Sequence, residues 1–292
     1  MAWRVRMEHW QSGYVAVDGL RLHYTRTGAG ASRAKPAVVL AHGFSDDGLC
    51  WTPLAKVLER EHDIVMIDAR GHGRSDATEA PYGVQELAHD LRGVIAGLHL
   101  QRPAILGHSM GGRTTLALAG LYPDVPGAIL IEDGDALGIA AVNPDVYDEQ
   151  RARSRSELAA LQRMTRQELL DNLRAEHPDW PEAELGLWVD AKLRLRPEQL
   201  NLHNHGVDWS AVLGKITCPA LLITADPERG AMITSERAAT MQALIPRLRI
   251  AHIPDAGHSI RREQPDRYLH AVRTFLREWA TDAGVLARNS GA

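Results

Sequence analysis

The sequence predicts an α/β fold: a mostly parallel, doubly wound sheet, entered through an antiparallel N-terminal hairpin and interrupted by a helical insertion. Three observations carry that expectation. Short, nearly continuous apolar runs recur along the chain, longer amphipathic patterns separate them, and residues 138–210 contain no such run at all.

The hairpin comes first. "YVAVDG" (14–19) and "LRLHYTRTG" (20–28) alternate apolar with polar residues, and Asp18-Gly19 between them is a tight-turn signal. Six runs follow: "AVVLAHG" (37–43), "DIVMIDA" (63–69), "PAILGHS" (103–109), "GAILIED" (127–133), "ALLITAD" (220–226) and "LRIAHIP" (248–254). Strands buried on both faces of a parallel sheet need this continuous Val/Ile/Leu/Ala character rather than alternation. Amphipathic helices are expected near 51–60, 84–98, 110–121, 235–245 and 265–279. The segment 138–210 carries only Arg/Glu/Leu-rich helical patterns, punctuated by prolines and by Trp180, Trp188 and Trp209. Its apolar periodicity favours a helical cap over a disordered linker. The expected organisation is therefore a core of 1–137 and 211–292 with a cap of 138–210. The tail "ARNSGA" is expected to fray.

Bulk composition removes several function classes. A formal charge of −4 leaves no electrostatic footprint for nucleic acid or an anionic membrane. Two cysteines in unrelated contexts form no CxxC pair, and the first residues lack the apolar core of a signal peptide. No apolar run approaches the ~18 residues of a membrane span. The expectation is a cytoplasmic protein. His203 and His205 in "NLHNHG" have no third ligand at a recognisable spacing, so no metal is expected. "GHGRS" (71–75) lacks the lysine and spacing of a phosphate-binding loop.

The strongest local signal is "LGHSMGG" (106–112). Gly107-His108-Ser109-Met110-Gly111 fits G-x-S-x-G directly after one strand and before one helix. A serine in so sharp a turn needs small residues two before and two after it, and the helix start behind it favours negative charge at the reacting oxygen. Downstream, His258 in "IPDAGHSIRREQP" (253–265) lies in a Gly-flanked loop after the last strand, as the order serine, acid, histidine requires. With an ordinary pKa near ~6.5 an imidazole can take the serine proton and later return it to a leaving group.

With those motifs in order, nearly the whole chain resembles the α/β-hydrolase fold family. "LAHGFSDDGLCW" (40–51) resembles the family's oxyanion segment, and "DARGHGRSD" (68–76) resembles the segment after the next strand. The resemblance implies an oxyanion hole from the amides of Phe44 and Met110, with His42 shaping the loop, and no cofactor.

Two positions could supply the acid that orients His258. In much of the family it follows the strand before the histidine strand, where Asp226 and Glu228 stand. In relatives such as some haloalkane dehalogenases and the zearalenone lactonases it ends the strand after the elbow helix, about two dozen residues past the nucleophile. Asp133 lies 24 residues after Ser109, so the spacing selects it, with Asp226 as the other candidate. Strand alternation then turns Glu132 to the opposite side, for capping or surface pairing, and Asp135 begins the insertion.

The expected activity is hydrolysis of a carboxylic ester or lactone through an acyl-enzyme. A serine at 109 argues against family chemistries that need a carboxylate nucleophile. The same triad serves cofactor-free perhydrolases and C–C bond hydrolases, and some members act as ligand receptors. Trp51, Trp180, Trp188 and Trp209 are candidates to line a mainly apolar pocket under the cap, their alternative role being to pack it onto the core.

Overall fold

The computed structural model describes residues 9–28, 35–137, 153, 155–203 and 206–282. The expectations for the chain ends, for 138–152 and for His205 lie outside the described residues. The hairpin forms as β1 (Gln11–Val17) and β2 (Leu20–Arg26), joined through Asp18 and Gly19, both at positive φ. The six apolar runs become β3 (Ala37–Ala41), β4 (Asp63–Ile67), β5 (Ala104–His108), β6 (Ala128–Glu132), β7 (Ala220–Thr224) and β8 (Leu248–His252). The eight strands lie in the order β1-β2-β4-β3-β5-β6-β7-β8, parallel from β4 onward.

Alternation along the central strands divides the core in two. Val38 and Leu40 of β3, and Ala128 and Leu130 of β6, face one cluster with helix α1 (Thr52–Leu58). Val39 and Ala41 face the other side, where α2 (Val84–Gly97) and α3 (Met110–Leu121) supply Leu91, Val94, Ala117 and Leu118. Helices on both faces explain why these strands tolerate no polar alternation. The last strand differs from its expectation. β8 is an edge, with Leu248 buried but Arg249, Ile250 and His252 exposed.

Between β6 and β7 lie α4 (Arg166–Glu176), α5 (Glu182–Leu193) and the short α6 (Trp209–Leu213). The first two share their own apolar cluster of Leu169, Leu170, Leu173, Trp180, Leu185 and Val189. α6 instead packs on α3 in the core, so Trp209 belongs to the sheet's helical layer rather than to a cap. The chain closes with α7 (Ser235–Leu244), α8 (Ile260–Glu263) and α9 (Pro265–Asp282). No helix among the described residues is long and apolar enough to cross a membrane.

Candidate active site

The site sits at the carboxyl ends of the parallel strands, where open α/β sheets hold ligands. Ser109 occupies the turn from β5 to α3 with φ 53° and ψ −114°, a conformation that non-glycine residues rarely adopt. Two close approaches hold it there. A Cβ on Gly107 would come within 2.2 Å of the Gly111 carbonyl oxygen, and one on Gly111 within 2.2 Å of the Ala41 carbonyl oxygen. The Ser109 amide donates to the Glu132 carbonyl at 3.0 Å, tying the elbow to the end of β6.

Asp133 follows directly, itself at positive φ and fully buried. Its Oδ2 lies 2.7 Å from His258 Nδ1 and accepts the Met232 amide at 2.8 Å, while Oδ1 accepts the Ile233 amide at 3.0 Å. Two amide donors hold the carboxylate without rotating it, and the third contact places the ring proton on Nδ1, leaving Nε2 free to accept. Asp226 is elsewhere: Oδ1 meets His252 Nε2 at 3.1 Å and Oδ2 accepts the Asp255 amide at 2.8 Å. Of the two candidate acids, only Asp133 reaches His258.

Three other histidines fix the loops. His42 Nε2 accepts the Ala69 amide at 3.0 Å, so its proton sits on Nδ1 and goes to the Gly43 carbonyl at 2.7 Å. His72 lies between the carbonyls of Arg70 and Phe44, at 2.9 and 2.7 Å. Burial pushes its pKa down to about 4, with the His42 charge adding to the fall and the two carbonyls opposing it. His108 does more than pack in the elbow. Its Nε2 donates to the His258 carbonyl at 2.9 Å, the two rings lie 4.7 Å apart, and burial, followed by the Arg261 charge, holds it well below the usual range. Of the expected oxyanion donors, Met110 follows Ser109 directly and Phe44 shares the cavity wall with it, and both pack in an apolar cluster with Tyr82 and Leu87.

Glu132 departs from its expected role. It is not a capping or surface residue but is fully buried beneath the site, where its carboxylate accepts the Arg261 amide at 3.0 Å and faces Arg261 Nη1 at 3.4 Å. Arg261 Nη2 and Arg262 Nη2 both donate to Asp46 Oδ2, at 2.8 and 3.0 Å, and Arg262 Nε reaches Glu184 on α5 at 3.3 Å. Burial alone would raise Asp46, but the two guanidiniums outweigh it and hold the carboxyl below its usual range. This chain of buried charges links the end of β6, the loop after β3, the loop after β8 and α5. Nothing local in the sequence around Arg261 and Arg262 signals this pairing.

A cavity of about 380 Å³ contains Ser109, His258, Phe44, His108, Trp180 and Trp188 in its wall. Lys192 Nζ packs 4.1 Å from the centre of the Trp188 ring, fixing that wall. Trp51 and Trp209 do not line it. Trp51 is fully buried in the core with the Arg261 guanidinium 4.3 Å over its ring, carried there by the turn after Asp47. The wall is also less apolar than expected, since His177, Arg229 and Arg262 join it. Among the described residues no group of three or more His, Cys, Asp or Glu is placed to hold a metal ion.

A model of the alpha/beta hydrolase family matches residues 38–271. The chain belongs to that family. Over 272 residues this hydrolase is 28% identical to N-formylmaleamate deformylase of Pseudomonas putida, spanning 90% of this chain and 96% of that one. It is 24% identical over 287 residues to 2-(acetamidomethylene)succinate hydrolase of Mesorhizobium japonicum, spanning 94% and 99% of the two chains. Among solved structures, the enol-lactonase from Burkholderia xenovorans LB400 superposes with a TM-score of 0.74 at 25% identity, covering 90% of this chain and 99% of its own.

Proposed function

We propose that this hydrolase cleaves a carboxylic ester or lactone by acyl transfer to Ser109. The observation that carries the reading is the 2.7 Å contact between Asp133 Oδ2 and His258 Nδ1, in a cavity whose wall also holds the strained Ser109. Ser109 Oγ attacks the acyl carbonyl carbon as His258 Nε2 takes its proton. The tetrahedral oxyanion is held by the amides of Phe44 and Met110, each worth roughly 3 kcal/mol in comparable sites. The C–O bond to the leaving group breaks, and His258 returns the proton to that oxygen. Water, deprotonated by His258, then attacks the acyl-enzyme, the acid departs, and Ser109 regains its proton. Asp133 keeps the imidazole in the accepting tautomer and stabilises its cation.

A second reading has support in the comparisons. The relatives named above include a deformylase and an acetamido-compound hydrolase, so the scissile bond could be C–N, with the same steps and an amine leaving group. The test is hydrolysis of p-nitrophenyl esters of increasing chain length, a set of lactones and an N-formyl amide, by wild type beside Ser109→Ala. Ser109-dependent turnover of esters or lactones is the expected result. Turnover of the amide alone selects the second reading, and no Ser109-dependent turnover of any of them defeats both.

A further inference from the structure

The charges in the cavity wall are unequally committed. Its acidic groups are engaged: Asp46 is shared by Arg261 and Arg262, and Glu263 accepts the Gly257 and Ser259 amides at 2.7 and 3.2 Å. Its two arginines keep unused donors. Arg262 is only 2% exposed, yet it lines the cavity that contains Ser109 and His258. Two of its three nitrogens are used, Nη2 on Asp46 at 3.0 Å and Nε on Glu184 at 3.3 Å. No hydrogen bond from Nη1 forms within the described residues. The guanidinium carbon lies 4.9 Å from the Trp180 ring centre, so the group is clamped in place and cannot swing out to water. Arg229, exposed and without an ion pair among the described residues, adds a second positive group to the same wall.

We propose that Arg262 Nη1 anchors a carboxylate carried by the acyl part of the substrate, so that this hydrolase prefers monoesters or carboxy-lactones over neutral esters of the same length. The inference rests on the acyl-transfer reading above. A nearly dry guanidinium with one unused donor edge is where a charge-assisted hydrogen bond gains most, because water competes little there. The planar cation, fixed on three sides by Asp46, Glu184 and Trp180, loses little freedom when a fourth partner arrives. Burial pushes the Glu184 carboxyl up, against the pull of Arg262 and Arg261, which weakens this cap carboxylate as a competitor for the same charge. Holding the acyl chain at its far end fixes the carbonyl against Ser109.

The test compares p-nitrophenyl hemisuccinate with p-nitrophenyl valerate at neutral pH. Wild type should favour the hemisuccinate at least tenfold in kcat/KM, and Arg262→Gln should bring the ratio to near one, chiefly through KM. Arg262→Lys, which keeps the charge, should restore part of it. A wild-type ratio of one or less, or a Gln variant that lowers both esters equally, overturns the proposal. Because Arg262 is buried, thermal unfolding of each variant is measured alongside. If the Gln variant does not fold, wild-type inhibition decides: succinate must compete with valerate hydrolysis where uncharged succinamide does not, and equal inhibition rejects the anchor. If neither ester shows Ser109-dependent hydrolysis, the acyl-transfer reading has failed. Calorimetry of succinate against succinamide on the Ser109→Ala protein then tests the anchor on its own, and equal binding overturns it.

Discussion

Replacing Asp133 by Asn tests the acid assignment at the level of single hydrogen atoms. Every contact of this carboxylate is with a donor: His258 Nδ1 and the Met232 amide at Oδ2, and the Ile233 amide at Oδ1. An asparagine must turn its NH2 toward one side. With NH2 at the Oδ2 position, it opposes the Met232 amide donor, His258 Nδ1 becomes the acceptor, the ring proton moves to Nε2, and that nitrogen can no longer take the Ser109 proton. With NH2 at the Oδ1 position, two donors face each other in a fully buried site, which costs about 1–3 kcal/mol, and the imidazolium loses its counter-charge. Comparable triads lose ~10⁴-fold in kcat when the tautomer is wrong, equivalent to ~5.5 kcal/mol of barrier. The expected outcome is a fall in kcat/KM of at least ~10³-fold, with a modest drop in melting temperature, measured on a p-nitrophenyl ester. Asp226→Asn should stay within about threefold of wild type, since that carboxylate serves His252 and the Asp255 turn. Retention of more than a tenth of the activity by Asp133→Asn, with collapse in Asp226→Asn, would refute the assignment.

Arg261→Met leaves Glu132 buried without its cation and removes one of the two from Asp46; chemical denaturation should show a loss of about 3–5 kcal/mol, and adding Glu132→Gln should recover part of it. Gly111→Ala forces a Cβ to within 2.2 Å of the Ala41 carbonyl, so its melting curve should fall by the equivalent of about 2–4 kcal/mol despite the better helix former. His72→Gln addresses pH. Its folded pKa of about 4 lies below the ordinary value of 6.5, so the unfolded chain takes up a proton that the folded chain refuses, and stability present above pH 6.5 is lost as pH falls toward 4, roughly 3 kcal/mol in all. The variant should show a shallower dependence of unfolding free energy on pH between 6 and 4.5, by about 1.4 kcal/mol per pH unit, and an unchanged slope defeats the reasoning. Trp188→Ala should raise KM, whereas Trp51→Phe should lower the melting temperature with KM unchanged, reflecting cavity wall against core.

The sheet was legible because burial on both faces leaves a one-dimensional trace: the runs at 37–43, 63–69 and 127–133 carry no polar alternation, and each became a strand. Ser109 and its helix were legible because the turn constrains residues within two positions on either side, a local demand. The placement of Asp133 against His258 was accessible only through the resemblance, which supplies the nucleophile-to-acid spacing, since the two residues are 125 apart in sequence. What escaped was set by tertiary contacts with no local mark. Glu132 reads as a polar strand end, and only residues 129 positions later make it a buried ion-pair partner. Arg262 likewise carries no local mark of its two carboxylate partners. Trp51 and Trp180 are indistinguishable as apolar aromatics, but a single turn after Asp47 sends one under the loop, while the other faces the cavity from the segment before α5.

A buried cluster of five charges is a poor way to gain stability, because well-packed apolar side chains of the same volume are often as good or better. Its location suggests what it provides instead. Arg261 lies three residues past His258, grips the side chain next to Asp133, and reaches Asp46, two residues past Phe44. Arg261 therefore sets the mutual positions of the end of β6, the loop that carries His258 and the loop that carries Phe44, with directional bonds that a methionine or leucine could not supply. Arg262 takes the same Asp46 and carries the link to Glu184 on α5. A negative charge arriving at Arg262 is thus one carboxylate away from all three of these segments, and the seat of α5 and the packing around His258 are held by adjacent residues of a single turn.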